Sequence, residues 1–423
     1  AIAHSLTEDS LSMHSVVVAY VLSVAACIPL SGWLADRFGV RNTFFAAIVI
    51  FTFASLGCAF SSSLNELLTY RVIQGIGGAF LLPVGRFAML KIIPRSQFLA
   101  AMSLMSLAGL IGPLIGPTLG GWMVEYMTWH WIFLINIPMG ILGVFVTFKA
   151  MPNVKETTVK KFDFSGFILL VFAMVGLSLG IENLANKQNA AWVSIALIIT
   201  GVVATLIYAF HAINHQNALF RASLFKNRIF TIGILGNFFA RFGGNALPFL
   251  LPLMLQVAFG FDPFITGLLM IPTVLGSLAS KPIIRPLIQR FGYRQVLLIN
   301  TLLVGVCIAS FALHTADTPT WFRLIHFFIF GVLNSLQFVS MNTLTLKDLS
   351  QQNASSGNSF LSMIMMLSMS LGVALAGTLV NVFTQHLGTV HTLQAFNYTL
   401  LCLASINIIA ALIFWQIPKN TPI

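Results

Sequence analysis

Charge is what this sequence has least of. Of its 423 residues only 8% are Asp, Glu, Lys or Arg, against about 25% in an ordinary soluble domain. So few charges cannot clothe the surface of a chain this long in water, which excludes the soluble classes. Acids are the scarcer sign: 11 Asp+Glu stand against 22 Lys+Arg, a formal net charge of +11. Cysteine is rare as well. Cys27, Cys58, Cys307 and Cys402 are scattered through apolar runs without CxxC or metal-ligand spacing, which excludes a disulfide framework and reads as packing. No HExxH, no paired intramembrane carboxylates and no metal cluster occur, and the one GxSxG match, GLSLG at 176–180, sits inside an apolar run rather than at a strand-to-helix turn. An enzyme or sensor is therefore not expected, nor a bound metal or cofactor.

What is present is apolar. Hydrophobic residues make up 57% of the chain, and a membrane helix needs about 20 mainly apolar residues. Thirteen such runs lie between polar or Pro/Gly breaks, at 12–34, 42–61, 64–89, 98–123, 130–149, 163–183, 191–211, 229–258, 263–285, 294–313, 321–345, 357–383 and 393–416. The breaks are short and leave no room for an inserted soluble domain. The expected fold is an all-helical integral membrane bundle.

Lys and Arg in the loops orient it. If the loop at 35–42 is cytoplasmic, Arg37, Arg41, Arg86, Arg95, Lys149, Lys161, Lys226, Arg285, Arg290, Arg294 and Lys347 all fall on inner ends, whereas only Lys187 and Arg323 fall outside. Glu8, Glu66, Glu125, Glu182, Asp262 and Asp317 show the opposite bias. The excess positive charge thus belongs to the cytoplasmic leaflet, and nucleic acid is not an expected partner. The chain opens at Ala1 without Met or signal peptide. Thirteen spans put that residue outside, and one preceding helix would restore an even count.

The chain also repeats itself. Arg37-Phe38-Gly39-Val40-Arg41 returns as Arg290-Phe291-Gly292-Tyr293-Arg294, and Tyr70-Arg71-Val72-Ile73 as Phe322-Arg323-Leu324-Ile325, at nearly the same offset. Two matches at one offset imply two homologous six-helix halves, the first lacking its opening helix. The expected organisation is an N-terminal half at 1–150, a central two-helix insertion with linkers at 151–228, and a C-terminal half at 229–423. Paired repeats with a site at their interface are a transporter design.

Several polar groups sit inside apolar runs, where an unpaired charge costs several kcal/mol. Arg71, with Gln74 one turn on, is expected to face a cavity. Asn237, Arg241 and Asn245 form a ladder on one helix face ahead of Pro248 and Pro252, while Asn334 and Gln337 give a later helix a polar side. Substrate contact and interhelical hydrogen bonding both fit Arg241.

The segment Gly32-Trp33-Leu34-Ala35-Asp36-Arg37-Phe38-Gly39-Val40-Arg41 resembles the signature loop between the second and third helices of the major facilitator superfamily. Gly109 to Gly121, reading GLIGPLIGPTLGG, resembles the antiporter signature of that superfamily's drug exporters; its members here are Gly109, Gly112, Pro113, Gly116, Pro117, Gly120 and Gly121. Small residues four apart let helix backbones approach closely, and the prolines remove backbone donors and bend the helix. Asn136 and Pro138, in WHWIFLINIPMG, extend the likeness. With the central hairpin, the whole chain is similar to the fourteen-helix drug:proton antiporter family.

That resemblance implies the major facilitator fold and roles for particular residues. Gly32, Asp36, Arg37, Gly39 and Arg41 would gate alternating access through charge contacts that break and re-form. Arg71 would couple to proton movement by partnering a carboxylate on the first helix, which this sequence lacks. Asn136, Asn237, Arg241, Asn245, Asn334 and Gln337 would line the substrate cavity. The implied function is a proton-driven exporter of drugs or other small amphipathic molecules across a bacterial inner membrane. The proton gradient would be its energy source, and lipid, substrate and protons the partners of a monomer. Arg71 and Arg241, with no acid in mid-span, raise an alternative: export of an organic anion such as citrate, its iron complex or a carboxylate siderophore.

Overall fold

The computed structural model describes residues 2–8, 13–92, 116, 118–155, 161–184, 191–215, 218–349, 351–388 and 391–418. Among them regular structure is entirely helical. The first half contains α1 (His14–Cys27), α2 (Leu30–Phe38), α3 (Val40–Ala59), α4 (Leu64–Ile92), a helical stretch at 118–126 and α5 (Asn136–Ala150). A hairpin of α6 (Phe164–Asn183) and α7 (Ala191–Asn214) follows. The second half contains α8 (Arg228–Val257), α9 (Pro263–Ser310), α10 (Thr320–Lys347), α11 (Gln351–Leu387) and α12 (Thr392–Trp415).

Among the described residues ten helices are long and apolar enough to cross a membrane, or eleven when α1 and α2 count as one bent span. The run at 12–34, expected as one helix, is two helices meeting at 56°. Pro29 is the reason: it stands at the N-terminal cap of α2, where its missing N–H interrupts the hydrogen-bond ladder. The runs at 263–285 and 294–313 join into the single long element α9. At 1.5 Å per residue such a length far exceeds a hydrocarbon core of about 30 Å. Gly292, at φ 74° and ψ 161°, breaks it into two crossings. The run at 98–123 lies mostly outside the described residues.

The exterior carries many large apolar side chains, unlike that of a soluble protein, and polar groups are buried among the apolar clusters of the interior. On α5 the large side chains of Met139, Ile141, Leu142, Phe145 and Phe148 are exposed, as lipid-facing positions are, while Asn237, Thr301 and Ser340 are fully buried. Within the second half, α9 packs closely on α10 and α12. Among the described residues the two halves meet chiefly where α1 packs against α11, and α6 leans on both. The hairpin itself is tightly joined, with the backbone of Gly176 against that of Gly201.

The internal repeat is also a repeat of backbone conformation. Gly39 has φ 91° and ψ 151°, nearly the values at Gly292. Side chains on L-residues are all but excluded from this region. Each half therefore turns at the same point of the repeated sequence on a glycine that only glycine fits.

Candidate functional site

Where the first half, the hairpin and the second half come together lies a cavity of about 1040 Å³. Its wall is apolar for most of its length: Val18, Leu22 and Ala26 from α1, Leu68, Val72 and Ile76 from α4, and Val171, Val175 and Leu179 from α6. One end is polar, gathering Glu8, His14, Ser15, Glu182, Asn183, Asn381 and Gln385. His14 Nε2 stands 3.7 Å from Glu182 Oε1, both side chains largely covered. An apolar barrel with a carboxylate-bearing end suits a small amphipathic molecule. Composition gave no hint of this grouping, because Glu182 stands in the last turn of α6 and His14 in the first turn of α1, far apart along the chain.

The residues expected to form the site are distributed differently. Arg71 donates from Nε to Val16 O at 3.0 Å and from Nη1 to Gln74 Oε1 at 2.7 Å, and its guanidinium lies 4.4 Å from the centre of the Tyr20 ring. Gln74 passes the chain on, donating to Ser55 Oγ at 2.7 Å. Its repeat partner Arg323 does the same work: it donates to the carbonyls of Thr315 and Ala316 and packs over Phe259 and Phe261. In both halves this arginine is served by backbone carbonyls and aromatic faces.

Asn237 and Arg241 do form one ladder. Asn237 is fully buried and donates to Gly233 O and Thr345 Oγ1, each at 3.0 Å. Arg241 is 4% exposed; its Nε donates to Asn237 Oδ1 at 3.0 Å and its Nη2 to Asn342 Oδ1 at 3.1 Å, over the Phe338 ring. Gln337 accepts from Asn300 Nδ2 and donates to Thr301 Oγ1, both at 2.7 Å. Arg241 thus bonds within α8 through Asn237 and across to α10 through Asn342, and neither it nor Gln337 lines the cavity. Asn136, Asn245 and Asn334 are half-buried and also lie outside its lining.

The signature loop docks on the segment leading into the hairpin. A Cβ on Gly39 would collide with the Asn153 side chain, and Val40 N donates to Val154 O at 3.0 Å. Trp33 packs 5.2 Å from Phe162 and 6.0 Å from Phe164, with the Arg37 guanidinium over its ring at 5.0 Å. Arg41 lies over Phe148. Asp36 is half-buried on the last turn of α2, and Gly32 faces open space.

Of the antiporter run, Gly109, Gly112, Pro113 and Pro117 lie outside the described residues. Gly116 and Gly120 have no described atom within reach of a Cβ, whereas Gly121 abuts the backbone of Pro263 and Phe264. There the first half touches the second: Phe264 N donates to Glu125 Oε2 at 3.1 Å, and Tyr126 meets the Phe264 ring.

One further cluster escaped the reading of the sequence. Asp163 caps the N-terminus of α6, and its carboxylate accepts from Gly166 N, Ser165 Oγ, Leu219 N and His211 Nε2. Burial pushes its pKa up, but these donors outweigh burial and hold the carboxyl below the usual range. The spacing His211-x-x-x-His215 was the available signal.

Two bundled halves, an intervening hairpin and an amphipathic cavity at their junction define a multi-pass membrane transporter. The family model for the Major Facilitator Superfamily matches residues 1–372 and, in a second match, 233–422; the chain belongs to that superfamily. It is 49% identical over 428 residues to MdtD of Escherichia coli O6:H1, named as a candidate multidrug resistance protein, covering 100% of this chain and 90% of that one. The MdtD proteins of Salmonella newport and Salmonella typhi, named likewise, are also 49% identical, with the same coverage. Among solved structures, a POT family transporter in complex with 5-aminolevulinic acid has TM-score 0.71 at 15% identity, covering 98% of this chain and 89% of that one. A D-xylose-proton symporter has TM-score 0.69 at 16% identity, covering 98% and 90%. These structures bear on the fold alone.

Proposed function

We propose that the chain is a proton-coupled exporter of small amphipathic molecules, of multidrug-efflux type, acting as a monomer in a bacterial inner membrane and driven by the proton gradient without a cofactor. The observation that carries this reading is the cavity at the junction of the halves, apolar along its wall and acidic at one end. The multidrug-resistance naming of the MdtD relatives supports the same class of cargo. A carboxylate that holds either a proton or a cation is what antiport requires, and Glu182 beside His14 stands where both would pass. We assign cationic rather than anionic cargo, since Glu8 and Glu182 line the cavity while Arg71 and Arg241 are taken up elsewhere. The organic-anion alternative loses its main support.

The test is transport by the purified chain in proteoliposomes, with a cationic dye set beside citrate under an imposed pH gradient. Glu182→Gln should weaken the dye by about tenfold, equivalent to about 1.4 kcal/mol, and abolish its dependence on the gradient. Movement of citrate but not dye would overturn the assignment.

A further inference from the structure

We propose that Asp163, His211 and His215 form a binding site for a divalent transition metal of the Zn²⁺ class, at the basic end of the α6–α7 hairpin. One potential ligand atom from each lies within 4.8 Å of the others. The spacing of four residues puts both imidazoles on one face at the end of α7, with ring centroids 4.8 Å apart and planes 22° from parallel. His211 Nε2 is 3.0 Å from Asp163 Oδ1 and 2.9 Å from Oδ2. Two ligands of a tetrahedral zinc, each about 2.0–2.1 Å from the ion, stand roughly 3.3 Å apart. A small recoil of His211 therefore admits the ion, which takes the place of the proton now held between imidazole and carboxylate.

The carboxylate is already fixed as a ligand should be. Oδ1 accepts from Gly166 N at 2.9 Å and Ser165 Oγ at 3.0 Å, and Oδ2 accepts from Leu219 N at 3.2 Å. Outer donors of this kind orient a ligating carboxylate and contribute to affinity. Two imidazoles with one carboxylate suit Zn²⁺, Co²⁺ or Ni²⁺ and not the oxygen-seeking Mg²⁺ or Ca²⁺. Asp163 is buried, His211 half-buried and His215 exposed, so the ion enters from solvent beside His215 and water fills its fourth position. The site also adjoins the signature loop, for Phe162 and Phe164, the neighbours of Asp163, are the rings on which Trp33 packs. A bound ion would tie together the start of α6, the end of α7 and the platform under that loop.

The experiment uses the full chain in detergent, free of any tag and stripped with a chelator, then titrated with Zn²⁺ and separately with Co²⁺. One equivalent of Zn²⁺ should bind per chain, raise the Tm, resist competition by excess Mg²⁺, and give visible absorption bands with Co²⁺. His215→Ala leaves the carboxylate network untouched and should weaken Zn²⁺ by at least about tenfold; His211→Asn, which keeps a donor to Asp163, should do the same. Size-exclusion profiles verify that both variants are folded. Failure of the unaltered chain to bind Zn²⁺, or binding equally tight in both variants, overturns the proposal.

Discussion

Two glycines at equivalent points of the repeat allow backbone strain to be separated from crowding. At Gly292 an added Cβ meets nothing within 4 Å, so Gly292→Ala tests the positive φ of 74° alone. A residue forced into that region costs on the order of 1–3 kcal/mol. Gly39→Ala bears the same strain at φ 91° and adds a collision with the Asn153 side chain. Asn153 is exposed and can swing aside, so the extra cost is about 1 kcal/mol, near the loss of one ordinary contact. Asn153→Ala in the Gly39→Ala background should recover that second part and leave the first. Unfolding of the purified chain by SDS in mixed micelles supplies the free energies. The reasoning fails if Gly292→Ala stays within about 0.5 kcal/mol of the parent, the range of an indifferent surface change. It also fails if the double variant recovers everything, because the backbone conformation would then cost nothing.

Two other outcomes follow from contacts away from the cavity. Gly121→Leu should wedge the 118–126 helix from the start of α9, because the neighbours of its Cβ are backbone atoms that cannot give way; overpacking of about 1–3 kcal/mol should raise cysteine-probe labelling at that end and halt transport, and unchanged labelling would refute this. His314, outside the spans, is buried against His326 with Arg323 near, and burial first, then those two charges, holds its pKa down to about 4 from 6.5. Its depressed value means that the unfolded chain binds the proton first, so stability is full above about pH 6.5 and is lost as pH falls towards 4, by up to about 3 kcal/mol at 1.36 kcal/mol per unit. The drop in Tm between pH 7.5 and 5 should shrink in His314→Asn; an identical drop in both would refute it.

The helices were legible because lipid imposes a length and a polarity on each, and the runs at 229–258 and 393–416 coincide with α8 and α12 to within a residue or two at each end. The repeat was legible too, since Gly39 and Gly292 stand in matching five-residue phrases. The bend at Pro29 was not, because a composition window averages over a break that one missing N–H creates. At the site, the likelihood that an intramembrane polar group serves a cavity misled at Arg241 and Gln337. Such a group needs partners, but Asn237 on its own helix and Asn342, Asn300 and Thr301 on neighbouring ones supply them as well as water does. Which helices are neighbours is a property of packing, and no single run of sequence contains it.

The same reason hid the part played by the hairpin. Read along the chain, 163–183 and 191–211 are an insertion between two homologous halves, and repeat symmetry gives them nothing to do. In three dimensions α6 leans on both α1 and α11, the elements through which the halves meet. Of the chain's 11 acids, one caps this element and another lies in its last turn, at opposite ends. Glu182 faces the cavity across from His14, and Asp163 gathers donors from α6, α7 and the segment beyond them. A helix of 20 residues extends about 30 Å, the thickness of the hydrocarbon core. Movement of α1 against α11 must therefore displace α6 or slide along it, and α6 is fixed at one membrane face by Asp163 while it presents a carboxylate to the cavity at the other. An element placed in this way runs from the packing of the signature loop to the acid end of the cavity, a connection that the repeated phrases of the two halves, Gly39 with Gly292 and Arg71 with Arg323 among them, do not themselves contain.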